Sequence, residues 1–334
     1  MTALAATGFD IVLCALILGA ALAAMTVRDL FGAVVFFIVY GVFVALAWLR
    51  LEAIDVALTE AALGAGLTGV LMIGAVSRLE RLLAKDEDPD AAPESAPATA
   101  PAVRIATMMA AGGIGGGLAW GFVSLPPPAG LHDAVAQNLA ASGVENPVTA
   151  VLLNFRGWDT LLESIVLLAA LIALWSLARD QDWGRRPGLR QHARPGGVMA
   201  TFGRLLPPFG LLLGVYLVWT GSAQPGGAFQ GGTVLAAVWL LVMMAGLKAA
   251  PRVTSVWLRS ALIAGPLLFL GVGLAGAVAG TFLGLPTAYA KPLILTIEAG
   301  LTVSIAATLA LLVLGAPTSG DGVAPDRPDR EPAG

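Results

Sequence analysis

The chain has 334 residues, 57% of them hydrophobic and only 12% charged, and a mean hydropathy of +0.83. Soluble domains run nearer to about 45–50% apolar and about 25% charged, so a soluble globule around one core is excluded. The net charge of −3 carries little information, because in such a chain the distribution of charge matters more than its sum.

Nine apolar runs can be read in chain order, at about 6–25, 30–49, 54–76, 105–123, 161–177, 205–219, 229–247, 256–279 and 292–314. A bilayer core of ~30 Å needs about 20 apolar residues at 1.5 Å each, and most of the runs supply them. The expected fold class is therefore all-α: a polytopic membrane protein with about nine transmembrane helices in blocks of three, two and four. Residues 1–82 hold the first three. An acidic, Pro/Ala-rich stretch at 83–103 reads as a disordered linker. Residues 104–178 hold two more, 179–204 form a basic connector, 205–315 hold the last four, and 316–334 read as a disordered tail. Run six starts at Pro207-Pro208, which suits a first helical turn because the missing donors are orphans there anyway. Pro266 is expected to bend run eight.

Lys and Arg set the orientation. With the N-terminus outside, 16 of the 19 fall on inner segments and three, Arg50, Arg156 and Lys291, on outer ones. The expectation is a multi-pass protein of the plasma (inner) membrane, N-terminus outside and C-terminus cytoplasmic. No basic segment precedes the first run, so no cleaved leader is expected. Cys14 is the one cysteine and reads as a small buried hydrophobe; no disulfide within the chain is possible.

Run three, IDVALTEAALGAGLTGVLMIGAV, carries Asp55 at its start and Glu60 inside it. A carboxyl in hydrocarbon costs about 2.5–3.5 kcal/mol on insertion scales, so it is expected to face protein or water. Helical spacing places Glu60, Gly64 and Thr68 on one stripe, combining an acid, a gap for a neighbouring backbone and a hydroxyl. Runs three, five and nine all travel inward. Each has an acid five or six residues past its first apolar turn: Glu60 after Ile54, Glu163 after Trp158 and Glu298 after Pro292. All three then lie at a common depth of roughly 8–9 Å. These acids, with Asp55, are candidates for an ion or proton path; hydration near the interface is the bland alternative. Lys291 lies two turns before Glu298 on the same face and is a further candidate, although snorkelling to the headgroups is its default role.

In FRGWDTLLE, Asp159 and Glu163 share a helix face and Arg156 can pair with either. Asp159 or Thr160 can also cap the helix. A structural role is expected for Arg156, Gly157 and Asp159, and a proton-handling one for Glu163. In PGGAFQGG, Pro225, Gly226 and Gly227 read as a turn, and Gly231 and Gly232 open run seven as close-packing positions. No Lys and Ser/Thr follow in P-loop spacing, which argues against a phosphate site.

Three motifs carry a family resemblance. DVALTEAALGAG, at 55–66, resembles the third helix of the small membrane-bound hydrogenase subunit that is similar to NADH dehydrogenase subunit 6. NPVTAVLLNFRGWDTLLE, at 146–163, resembles the FRGxDTxxE segment ending the large Mrp antiporter subunit. PGGAFQGG is similar to the PGGGFxGG turn of the B subunit of Mrp-type Na⁺/H⁺ antiporters. Ser222 stands where a His is common, Ala228 where a Gly is, and Asn154 where an Asp is. The resemblance implies a subunit of a multi-subunit cation/proton antiporter, partnered by other such subunits and the bilayer. The alternative it implies is an accessory subunit in the membrane arm of a redox-driven ion pump.

Soluble catalysis has little support. The two histidines, His132 and His192, fall on opposite sides, and no His/Cys/acid cluster has metal-ligand spacing. No metal, cofactor or nucleic acid is expected; the basic connector is accounted for by topology and anionic lipid.

Overall fold

A computed structural model of the chain describes residues 3–86, 100–126, 130–188 and 197–318. The centre of the expected linker, the connector residues 189–196 with His192, and the tail from 319 lie outside the described residues. Among the described residues, eight helices are long and apolar enough to cross a membrane, and Ala228–Met244 is apolar but shorter. These correspond one to one to the nine runs. By compactness the chain divides into Met1–Val76 with Gln137–Gly334, and Ser77–Ala136.

In the first unit, α1 (Ala3–Thr26) and α2 (Leu30–Arg50) are tied by a two-pronged ion pair: Arg50 Nε to Asp10 Oδ1 at 2.8 Å and Nη2 to Oδ2 at 3.2 Å. Asp29 caps α2, its carboxylate accepting from Gly32 N at 2.6 Å. The other end of α2 closes in a Schellman arrangement: Glu52 N donates to Leu49 O and Ala53 N to Trp48 O. The left-handed position of that motif, φ +60°, is filled by Glu52 rather than by glycine. A side chain there costs about 1–2 kcal/mol.

Run three is not a uniform helix. It begins as α3 (Ile54–Thr59), widens into a π-helical stretch π1 (Glu60–Leu67), and resumes as α4 (Thr68–Asp86). Thr68 Oγ1 donates to Leu63 O, five residues back, at 2.8 Å. Gly41 of α2 lets π1 approach backbone to backbone: a Cβ there would stand 3.1 Å from Ala65 N. Wide turns of this kind appear mostly as single-turn bulges, frequently at functional sites.

After α6 (His132–Ser142), the chain forms a short turn α7 (Pro147–Thr149), capped by Asn146 through Val148 N at 2.9 Å. A second π-helical stretch, π2 (Ala150–Phe155), and α8 (Gly157–Ser176) follow. Then come α9 (Val198–Thr220), α10 (Ala228–Met244), α11 (Val256–Val278) and α12 (Thr287–Leu314). Here α9 begins at Val198, so Pro207 and Pro208 lie inside the helix and not at its first turn. The bundle overrides the local preference: Gly203 and Gly214 let α9 press onto α10, where added Cβ atoms would meet Ala245 at 2.5 Å and Leu235 at 2.7 Å. In lipid, association rests on this kind of close packing and not on burial from water.

The axis of the block is α12. Its best membrane window is 72% buried, whereas no other candidate span exceeds 28%. It packs against α8, α9, α10 and α11. Sequence order groups run five with run four, but the helix that run five forms, α8, packs with α11 and α12. Residues just after α12 also depart from the expected disordered tail: Pro317 is fully buried and bridges to Pro187.

The second unit contains α5 (Pro101–Ser124), which buries none of its residues. His132 lies in the same unit, exposed, with Nδ1 3.7 Å from Asp133 Oδ1.

Candidate functional site

One cavity of about 320 Å³ within the first unit is walled by four separate stretches of chain: α3 with the start of π1, the 148–163 segment, the glycine turn before α10, and α12. It gathers three carboxylates, Asp55, Glu163 and Glu298, with Thr59, Thr149, Thr160 and Gln230. The remaining lining is largely Val, Leu and Phe side chains.

Glu298 is the most deeply placed of the acids, at 3% exposure. Its surroundings are made by glycine. A Cβ on Gly227 would stand 2.9 Å from Glu298 Oε1, and one on Gly221 3.2 Å. Gly227 has φ +118° and ψ −168°, a region open essentially to glycine alone. The head of α10, at Ala228, stands beside this carboxylate, where helix N-termini favour anions. Its Oε2 is buried and has no hydrogen-bond partner among the described residues.

Asp55, in the first turn of α3, reaches across to the same turn. Its Oδ1 accepts from Gly226 N at 2.8 Å. Gln230, in the first turns of α10, holds the other side of the seam: Nε2 donates to Asp55 O at 3.3 Å and to Thr59 Oγ1 at 3.2 Å. The third wall is pinned to the loop after α9. Asn146 Nδ2 donates to Gly221 O at 3.1 Å and Gln224 O at 2.9 Å, and Thr149 Oγ1 donates to Gly221 O at 2.6 Å. Glu163, exposed, lines the cavity from about two turns into α8.

The other candidates lie elsewhere. Glu60 is half-buried at the head of π1 and does not line the cavity. Its carboxylate folds back over Gly64, where a Cβ would coincide with it. Lys291 is exposed and away from the cavity, although Glu298 follows it on the same helix. Arg156 pairs with Asp159 at 2.5 Å. Neither Asp159 nor Thr160 caps α8; Thr160 Oγ1 instead donates to Leu152 O at 2.7 Å, closing the junction with π2. Gly157 lies against Phe269 and Leu283. Gly231 and Gly232 give α10 its approach to Gly214 of α9 and Ile305 of α12, and Pro225 stands at the outer rim of the turn.

Gln230, Asn146 and Thr149 tie the walls around the cavity, and the sequence patterns do not single them out. Gln230 leaves a usable signal, an amide inside an apolar run; the other two are readable only once the 221–224 loop is placed. The departures from the resembled motifs are satisfied structurally. Asn154 Nδ2 donates to Ser142 O at 2.9 Å, which a carboxylate cannot do. Ser222 is buried, and its carbonyl accepts from Glu145 N and Asn146 N.

Comparisons with known proteins agree with this architecture. Residues 15–81 match the MbhD family of MBH subunits. Residues 198–319 match the domain related to the MnhB subunit of Na⁺/H⁺ antiporter. Among solved structures, a chain of the Mrp complex from Dietzia sp. DQ12-45-1b superposes with a TM-score of 0.70 at 26% identity, over 93% of this chain and 35% of that one. The present chain thus spans about a third of that chain's length. A chain of the membrane-bound sulfane sulfur reductase (MBS), an archaeal respiratory membrane complex, matches with a TM-score of 0.51 at 24% identity, over 64% of this chain and 98% of that one; this likeness concerns the fold alone. Among curated proteins none matches. The chain is a polytopic membrane protein that joins a segment similar to MbhD, at 15–81, to one similar to the MnhB-related domain of Na⁺/H⁺ antiporters, at 198–319.

Proposed function

We infer that this chain is a subunit of a multi-subunit Mrp-type cation/proton antiporter, a secondary transporter component and not an enzyme. Its cavity holds the transported cation or proton among Asp55, Glu163 and Glu298. Partners are the other antiporter-type subunits. The N-terminus faces outside and the C-terminus the cytoplasm, as the 16-to-3 division of Lys and Arg favours.

One observation carries the reading: Glu298 is buried, opens on a cavity shared with two other acids, and leaves Oε2 without a hydrogen-bond partner among the described residues. A buried carboxyl in that state calls for a proton or a counter-cation, and both are what an exchanger moves. The test is ΔpH-driven Na⁺ exchange in vesicles that contain the assembled complex. Glu298→Gln preserves the side chain's shape, so the complex is expected to assemble while exchange falls at least about tenfold. Full exchange by an assembled variant overturns the assignment.

A second reading, the membrane arm of a redox-driven pump, is favoured by the fold shared with the sulfane sulfur reductase chain. Mass spectrometry of the intact detergent-extracted complex separates the two: redox subunits in the complex select the second, antiporter subunits alone the first.

A further inference from the structure

A second cavity, of about 280 Å³, adjoins the first and shares Asp55, Val56 and Val148 with it. Its other walls belong to the loops where α2 meets α3 and where α9 meets α10, together with Asn146 and Pro147. At the second cavity Glu52 and Gln224 are exposed and Asn146 is buried; Asp55, shared by the two, is half-buried, and Gly227 and Glu298 beyond it are buried. The two cavities therefore form a stepped route from the loop end of the bundle to Glu298, with Asp55 at the step. Asp55 is held there by Gly226 N at 2.8 Å, so the step is latched to the glycine turn that cradles Glu298.

Glu52 stands at the rim. It occupies the left-handed position of the α2 cap, where glycine relieves strain and a glutamate adds it. Residues held against their local preference cluster at functional sites. An acid kept at such a place, beside an apolar-walled cleft that leads to further acids, raises the local concentration of cations. We propose that the second cavity is the vestibule through which a monovalent cation reaches the Asp55–Glu298 cavity from the outer face, and that Glu52 recruits the cation there. The proposal rests on the antiporter reading and on the orientation that goes with it.

The experiment uses the full complex in vesicles, with Na⁺ as the probe. Glu52→Gly removes the acid and the backbone strain together, so the variant is expected to assemble at least as well as the parent. The Na⁺ concentration for half-maximal exchange is expected to rise about three- to tenfold with little change in maximal rate. Glu52→Asp is expected to stay within about twofold of the parent. An unchanged half-maximal concentration in an assembled Glu52→Gly complex overturns the role of Glu52. Independently, Val148→Cys in a Cys14→Ala background is expected to react with a membrane-impermeant methanethiosulfonate from the outer face; reaction from the inner face alone overturns the vestibule. Absence of any Na⁺/proton exchange by the parent complex sinks the antiporter reading, and the sidedness of labelling then still decides whether the vestibule opens outward.

Discussion

The third apolar run and α12 look alike in the sequence: each is a long hydrophobic stretch with one acid a little past its first turn. In the structure they differ. On α12, Glu298 points into a cavity, under the glycine turn before α10, at 3% exposure. On the third run, Glu60 lies half-buried over Gly64 of its own helix, and Asp55, more than one turn earlier, reaches the cavity instead. The two helices also differ in how they are held. The well-buried α12 is an uninterrupted α-helix, whereas π1 interrupts the third run just after Thr59 and alters the angular register of everything beyond it. Depth along a helix is a matter of counting residues; which way a side chain faces depends on neighbours and on local winding.

This contrast can be broken by substitution, and Glu298→Gln, with its loss of about tenfold or more, is the strongest lever. Next is Gly227→Ala. It forces a Cβ into a glycine-only region and to within 2.9 Å of Glu298 Oε1. A cost of about 1–3 kcal/mol is expected, read as lower complex yield on thermal challenge together with reduced exchange. Normal yield and exchange would show that the glycine turn does not set the position of Glu298.

Asp55→Asn tests the contribution of the third run. The amide oxygen can still accept from Gly226 N, so the latch survives as a neutral hydrogen bond, weaker by about 1 kcal/mol. Exchange is expected to fall about three- to tenfold with assembly intact; collapse of assembly would make Asp55 a structural tie instead. The smallest effect is expected for Glu60→Gln, less than about twofold in exchange, because Glu60 does not line the cavity. A loss as large as that of Glu298→Gln would reverse the comparison and move the path onto π1.

Much of the architecture is legible without coordinates. The nine runs correspond to the nine apolar helices because hydrocarbon thickness fixes span length and apolar composition marks it. Asp55, Glu163 and Glu298 stand out because acids are scarce in such runs, and PGGAFQGG reads as a turn because few residues besides glycine tolerate its backbone. Proline misleads at Pro207-Pro208, where packing of α9 on α10 outweighs the loss of two backbone donors.

The sequence by itself determined the membrane class, the helix count and the inventory of acids, since composition and periodicity answer to the solvent around each segment. Only the tertiary structure decided that Asp55, Glu163 and Glu298 share one cavity, that Gln230 and Asn146 tie its walls, and that Glu60 stands apart. Those outcomes depend on contacts such as Asp55 with Gly226 and Thr149 with Gly221, between residues far apart in the chain. No local pattern encodes which helix turns which face toward another, because that is settled by mutual packing across the whole bundle.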